Sequence, residues 1–220
     1  MTNGTRARRA EGDLTRKGAH TRQRIVAAAA DLIGELGVAG TTLDDIQAEA
    51  GVSSSQIYHY FAGKEALVRA VVGYRAQAVV GEVHEPMLAA VEDIEGLRAW
   101  RDRIVSIQQD SGGQGGCLLG SLGSELAGLD HVARHNVAAG WHRWEAAIRA
   151  CLQDMRDGGK LVPAADPGQL ATAMLAALQG GLLLAQIERS ARPLAAALDA
   201  MISLTESFAA PPQPPGETAG

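Results

Sequence analysis

Between Gly37 and Gly63 the chain is cut into two helical stretches, each too short to hold its shape unaided. Leu43, Ile46 and Ala50 fall on one face of the first. Thr41 or Thr42 can cap it, and Asp44 and Asp45 suit its first turn. Gly51-Val52 then predicts a tight turn, because glycine accepts a positive φ. Ser53 or Ser54 can cap the second stretch, which ends near Tyr60 and is expected to anchor inward through Ile57, Tyr58 and Phe61. Upstream, Ile25, Ala28, Ala29, Leu32, Ile33 and Leu36 recur at three-to-four spacing. They predict a longer helix from Ala19 to Leu36, closed by Gly37. Two short helices joined by a tight turn and braced on a longer one make a helix-turn-helix.

The second helix of such a pair lies in the major groove of DNA. Its expected outward side chains are Ser54, Ser55, Gln56, His59 and Tyr60. A glutamine can bond adenine through two atoms, serine reaches bases or phosphates, and histidine and tyrosine can donate to phosphate oxygens. Lys64 opens the next helix, where its charge and the helix amino end both favour a phosphate. Thr41, Thr42, Ser53 and Tyr58 complete the expected DNA-contacting set. The whole chain carries a net charge of −5. Yet its first 24 residues hold Arg6, Arg8, Arg9, Arg16, Lys17, Arg22 and Arg24 against only Glu11 and Asp13. A basic leading end therefore precedes an acidic body. The recognition helix itself holds no Lys or Arg, so specificity is expected from shape and uncharged hydrogen bonds.

Beyond Lys64 the pattern stays helical, and no run of alternating β-branched residues predicts a strand. A long fourth helix is expected to stop before Pro86. Met87–Asp110 reads as one or two helices, and the glycine-rich Ser111–Gly116 as a loop. Helices over Cys117–Ala127, Asp130–Asp157, Asp166–Arg189 and Pro193–Phe208 follow. Apolar residues make up 46% of the chain and charged ones 20%, enough to build a core from 220 residues. The expected fold is all-α. A disordered basic arm spans 1–17, a three-helix helix-turn-helix domain 18–64, a helical body 65–209 and a disordered Pro-rich tail 210–220.

Other chemistries find little support. Cys117 and Cys151 form no Cys-x-x-Cys pair. His131 and His135 lack the glutamate of a His-Glu-x-x-His zinc motif, so neither metal nor cofactor is expected. Gly112–Gly116 lacks the Lys-Ser/Thr of a phosphate loop, and leucines stand where a nucleophile elbow at Ser121 or Ser124 needs glycine. The chain is therefore not expected to be an enzyme. Cys117 could sense oxidants only if its thiolate were stabilised, and no basic residue stands near it in sequence. The charge-free stretch Pro167–Ile187 is long enough to span a bilayer. Gln169, Thr172, Gln179, Gln186 and Gly180-Gly181 interrupt it and favour a buried helix instead. With a polar, Arg-rich start and only two cysteines, the expectation is a cytoplasmic protein with no membrane partner.

Thr21-Arg22-Gln23-Arg24-Ile25, Leu36-Gly37, Thr41 through Ile46, Ala50-Gly51-Val52-Ser53, Ile57-Tyr58-His59-Tyr60-Phe61 and Lys64-Glu65-Ala66-Leu67 stand in unbroken order. Together they closely resemble the TetR family of transcriptional repressors. Gln47 departs from the alanine of many relatives and is expected to alter packing between the first two helices. Ser55 departs from their glycine and puts a side chain at the DNA surface. Gly115 through Leu122, Glu125, Trp141 and Trp144 resemble the branch holding the multidrug- and flavonoid-responsive repressors.

The resemblance implies a homodimer on a palindromic double-stranded DNA operator, with an effector-binding and dimerisation domain over 65–209. For pairing, Leu170, Met174, Ala177, Leu178, Gly181, Leu182 and Ala185 form a small-residue stripe. Leu194, Leu198, Met201, Ile202 and Leu204 offer a partner surface. For a small hydrophobic effector the candidate walls are Trp100, Ile104, Ile107, Leu118, Leu122, Trp141, Trp144 and Ile148. Cys117 and Gln179 are the polar contacts in that set, with His142 and Glu125 beside them. A different reading is a ligand-binding dimer that keeps the helix-turn-helix only as a fold, motivated by Ser55 and the lack of arginine on the recognition helix.

Overall fold

The computed structural model describes residues 15–112, 116–126 and 131–211. The expected arm up to residue 14, the tail from 212, and the loop glycines 113 and 115 lie outside the described residues, as do Asp130 and the side chains of Leu118 and His131. The chain divides into two compact units, Met1–Tyr74 and Arg75–Gly220. The division falls inside a helix, ten residues past the 64/65 boundary expected from sequence.

In the first unit, helix α1 (Arg16–Gly40) begins earlier than its apolar stripe suggested, because the Thr15 hydroxyl accepts the Gly18 amide at 3.2 Å. Arg16 and Lys17 thus belong to α1 rather than to the arm. Gly37 interrupts the helix with a φ of 75°. Helix α2 (Leu43–Ala50) starts at a reciprocal cap between Thr42 and Asp45. Gly51 ends it in the left-handed region at φ 59°, ψ 47°. Helix α3 (Ser54–Tyr60) follows, capped by Ser53 and Gln56 in the same reciprocal manner. Ile25, Ala29, Ile46, Ile57, Phe61 and Leu67 are nearly inaccessible and form the core of this unit. Tyr58 was expected among these anchors, but it is 63% exposed.

Helix α4 (Lys64–Ala76) continues into a π-helical segment, Gln77–His84, and then α5 (Glu85–Ala89). The expected stop before Pro86 is therefore absent. A proline ring crowds the carbonyl four residues back. Here the wider π turns precede it, with the Glu85 amide bonded to Val80 O five residues back, and make room for the ring. Arg143 braces this segment, its Nε donating to Glu85 at 2.6 Å and its terminal nitrogen to Gln77 at 2.8 Å.

The second unit continues with α6 (Ile94–Asp110), α7 (Leu118–Leu126), α8 (His131–Asp157), α9 (Pro167–Glu188) and α10 (Arg192–Glu206). Helix α9 packs on α8 and α10, and α10 on α6. Arg98 and Arg101 of α6 tie to Glu206 and Asp199 of α10, each at 2.7 Å. No strand occurs among the described residues; a single bridge joins Leu161 to Ala209.

Helix α9 is long and apolar enough to cross a membrane by composition alone. Its packing accounts for much of that character. Met174, Leu178 and Ala185 are fully buried within the chain. At Gly181 a Cβ would stand 2.8 Å from the Cα of Leu194, so glycine lets α9 and α10 approach closely. The stripe expected to meet a second copy is thus mostly intrachain core, as are Leu194, Leu198 and Ile202. The uncovered apolar face of α9 is a different one, formed by Ala173, Ala176, Gly180, Leu183, Leu184 and Ile187.

Candidate functional site

The outward face of α3 is polar. Ser53, Ser54, Ser55, Gln56, Tyr58 and His59 are exposed, and Tyr60 is half-buried. The His59 and Tyr60 rings meet edge to face at 4.8 Å. Lys64 opens α4 and is half-buried. Several of these groups already have partners. Gln56 Oε1 accepts the Ser53 amide at 2.9 Å, and the Ser53 hydroxyl contacts that of Ser55 at 2.9 Å. The Ser54 hydroxyl donates to Gln47 Oε1. Gln47 therefore ties α2 to α3, where the sequence reading had it altering the packing of α1 on α2.

Two threonines expected to contact DNA have different fates. Thr42 is exposed, and its hydroxyl and amide hold the Asp45 carboxyl below the usual carboxylate range. Thr41 is fully buried, its hydroxyl donating to Gly37 O at 2.9 Å. That hydrogen bond ends α1 and removes Thr41 from any DNA-facing surface. On α1, the Arg22 guanidinium lies 5.3 Å from the centre of the Phe61 ring, bracing α1 against the end of α3.

In the second unit, Trp100, Ile104, Leu122, Trp144 and Ile148 are all buried to 5% exposure or less. Ile107 is not; it is 41% exposed and lies off the buried stripe of α6. Trp100 and Trp144 meet through a residue that sequence reasoning passed over. His84 is 5% exposed, its Nδ1 accepts Trp100 Nε1 at 3.3 Å, and its ring centre lies 4.1 Å from that of Trp144. Burial lowers its pKa to about 4, so it is neutral at physiological pH. The available signal was a single polar residue in register with the buried stripe of Val80 and Leu88.

Cys117, Gln179 and Trp141 gather around the glycines of α7. A Cβ on Gly120 would stand 3.0 Å from Gln179 Oε1 and 3.3 Å from Cys117 Cβ. One on Gly123 would stand 3.0 Å from the Trp141 ring. The Gly120 amide donates to Cys117 Sγ at 3.3 Å, but burial outweighs that contact and pushes the thiol pKa up. Cys151 is pushed up to about 12 by burial as well. Both thiols are thus poor nucleophiles. The buried nitrogens Trp141 Nε1 and Trp144 Nε1 have no hydrogen-bond partner among the described residues. His142 is exposed, 3.7 Å from Glu145.

Residues 25–71 match the family described as bacterial regulatory proteins, tetR family. Residues 94–201 match the tetracyclin repressor-like C-terminal domain. The HTH-type transcriptional repressor DhaR of Mycobacterium sp. (strain GP1) is 27% identical over 175 residues, covering 79% of this chain and 86% of DhaR. The HTH-type transcriptional repressor NemR of Escherichia coli (strain K12) is 29% identical over 185 residues, covering 81% of this chain and 90% of NemR. A solved TetR transcriptional regulator from Chloroflexus aurantiacus superimposes with a TM-score of 0.71 at 29% identity, over 89% of this chain and 98% of that one.

Proposed function

The chain belongs to the TetR family of transcriptional regulators, and we propose that it is a cytoplasmic, non-enzymatic repressor that binds a palindromic operator as a homodimer and answers to a small hydrophobic ligand. The observation that carries the DNA reading is α3 itself. It is a capped helix following a left-handed Gly51, with five exposed polar or aromatic side chains and a buried apolar face. Ser54, Ser55, Gln56, Tyr58 and His59 are the proposed groove contacts, with Thr42, Ser53, Tyr60 and Lys64 toward the phosphates.

The effector reading rests on the second unit. The indole nitrogens of Trp141 and Trp144 are buried donors without a hydrogen-bond partner among the described residues. Each such group destabilises by about 1–3 kcal/mol until an acceptor reaches it. A flat apolar molecule carrying acceptor oxygens suits them, with Trp100, Ile104, Leu122 and Ile148 as apolar surroundings. Binding would change DNA affinity only by favouring one of two conformations. Pairing is assigned to the uncovered stripe of α9, Leu183, Leu184 and Ile187, with Leu204 of α10.

The test is a gel shift of the purified chain on DNA from upstream of its own gene. Binding that weakens steeply as salt rises supports the reading, since phosphate contacts release counterions. No shift at low salt would overturn it.

A further inference from the structure

A cleft of about 380 Å³ opens in the second unit, lined by none of the ten candidate effector residues. Val105, Gln108 and Gln109 of α6 form one side. The turn between α9 and α10, from Arg189 to Arg192, forms the other. Its volume lies in the range of small-molecule pockets.

Two features of its lining point to one ligand chemistry. Gln108 is only 4% exposed, yet its amide nitrogen has no hydrogen-bond partner among the described residues. A buried donor of this kind is rarely left unmatched. Arg189 and Arg192 bring two exposed guanidinium groups to the same cleft. The Arg192 side chain meets Glu188 only at 3.5 Å, in an exposed contact that leaves most of its donors open. The first turn of α10, which begins at this cleft, adds no free donor from Arg192 or Pro193: the Arg192 amide donates to the Ser190 hydroxyl at 3.2 Å, and proline has no amide.

Arg189 adds a conformational argument. It holds φ 52° and ψ 40° at the end of α9, the sole non-glycine residue at positive φ among the described residues. Glycine would adopt that geometry without strain. An arginine there places its guanidinium at the cleft.

We propose that this cleft binds a small organic anion, its carboxylate or phosphate group held by Gln108, Arg189 and Arg192. The guanidinium groups match an oxyanion in charge and fork geometry. Bound there, the anion would join α6 to the α9–α10 turn.

The experiment titrates the purified full-length chain with sodium phosphate and, separately, sodium benzoate. Sodium chloride at matched ionic strength is the reference, and calorimetry and melting temperature are the readouts. A saturable response to either probe and not to chloride is expected. Phosphate alone would identify a phosphate ligand, and benzoate alone a carboxylate. Arg189→Gly should keep its helicity, because glycine tolerates the local backbone, and bind about tenfold more weakly or worse. Arg192→Gln should weaken binding similarly, with its fold unaltered at an exposed position. No saturable response to either anion, or equal binding by both variants and the wild type, would overturn the proposal.

Discussion

At the scale of single residues, Tyr58 and Ile57 show how one position's difference changes a role. Ile57 and Phe61, four apart, take the inward stripe of α3, and Tyr58 is turned about 100° away from it. An aromatic in a short helix looks like an anchor in sequence, but seven residues have room for only one inward stripe. Tyr58→Ala should therefore leave stability within about 0.5 kcal/mol while weakening DNA binding. Ile57→Ala should lose about 2–5 kcal/mol. Urea unfolding of the two variants separates these outcomes. His84 was illegible for the opposite reason, since a lone polar residue on an apolar stripe does not announce its partners. The unfolded chain protonates this histidine below its ordinary value of 6.5, whereas the fold keeps it neutral down to about 4. Its contribution is therefore complete above pH 6.5 and is lost as pH falls toward 4, by up to about 3 kcal/mol. His84→Gln retains an acceptor for Trp100 and should flatten that part of the profile. Denaturation midpoints at pH 7 and pH 5, compared between variant and wild type, would reveal it.

At the scale of elements, helix starts were the most legible features. Thr42, Ser53 and Asp166 each supply the short polar side chain that caps a helix start. The turn at Gly51-Val52 was legible because it demanded a positive φ. The π-helical segment and the passage through Pro86 were not, since no residue type encodes a helix that widens by a fraction of a turn. Helix α9 was legible as a helix but not in its facing. It is apolar nearly all round, so periodicity could not say which side meets α10 and which stays uncovered. Its glycines make the distinction testable. Gly181→Ala drives a methyl against the backbone of Leu194 and should destabilise by about 1–3 kcal/mol. Gly73→Ala in α4 meets nothing within 4 Å and should stabilise by about 0.5–1 kcal/mol. Thermal melts of the two variants should move in opposite directions.

At the scale of the whole molecule, the sequence disclosed two units and the class of each, because the helix-turn-helix depends on local spacing. The effector surroundings were less legible, since they depend on contacts between distant helices such as those joining His84, Trp100 and Trp144. Pairing belongs to this scale too. Ile187 is 69% exposed in the single chain and sits amid Leu183 and Leu184. Ile187→Glu would bury an unpaired carboxylate in the proposed interface, weakening pairing by about 3–5 kcal/mol. Light scattering should then report the mass of one chain at concentrations where the wild type has twice that mass. The polar face of α3 lies in the first unit and the uncovered stripe of α9 in the second. Under the proposed pairing, a chain damaged at α3 would keep its means of association whole. Produced in the same cell as intact copies, it would enter mixed pairs that grip only one half of an operator. Mutant alleles of α3 would then be genetically dominant, whereas alleles that abolish the α9 stripe would be recessive.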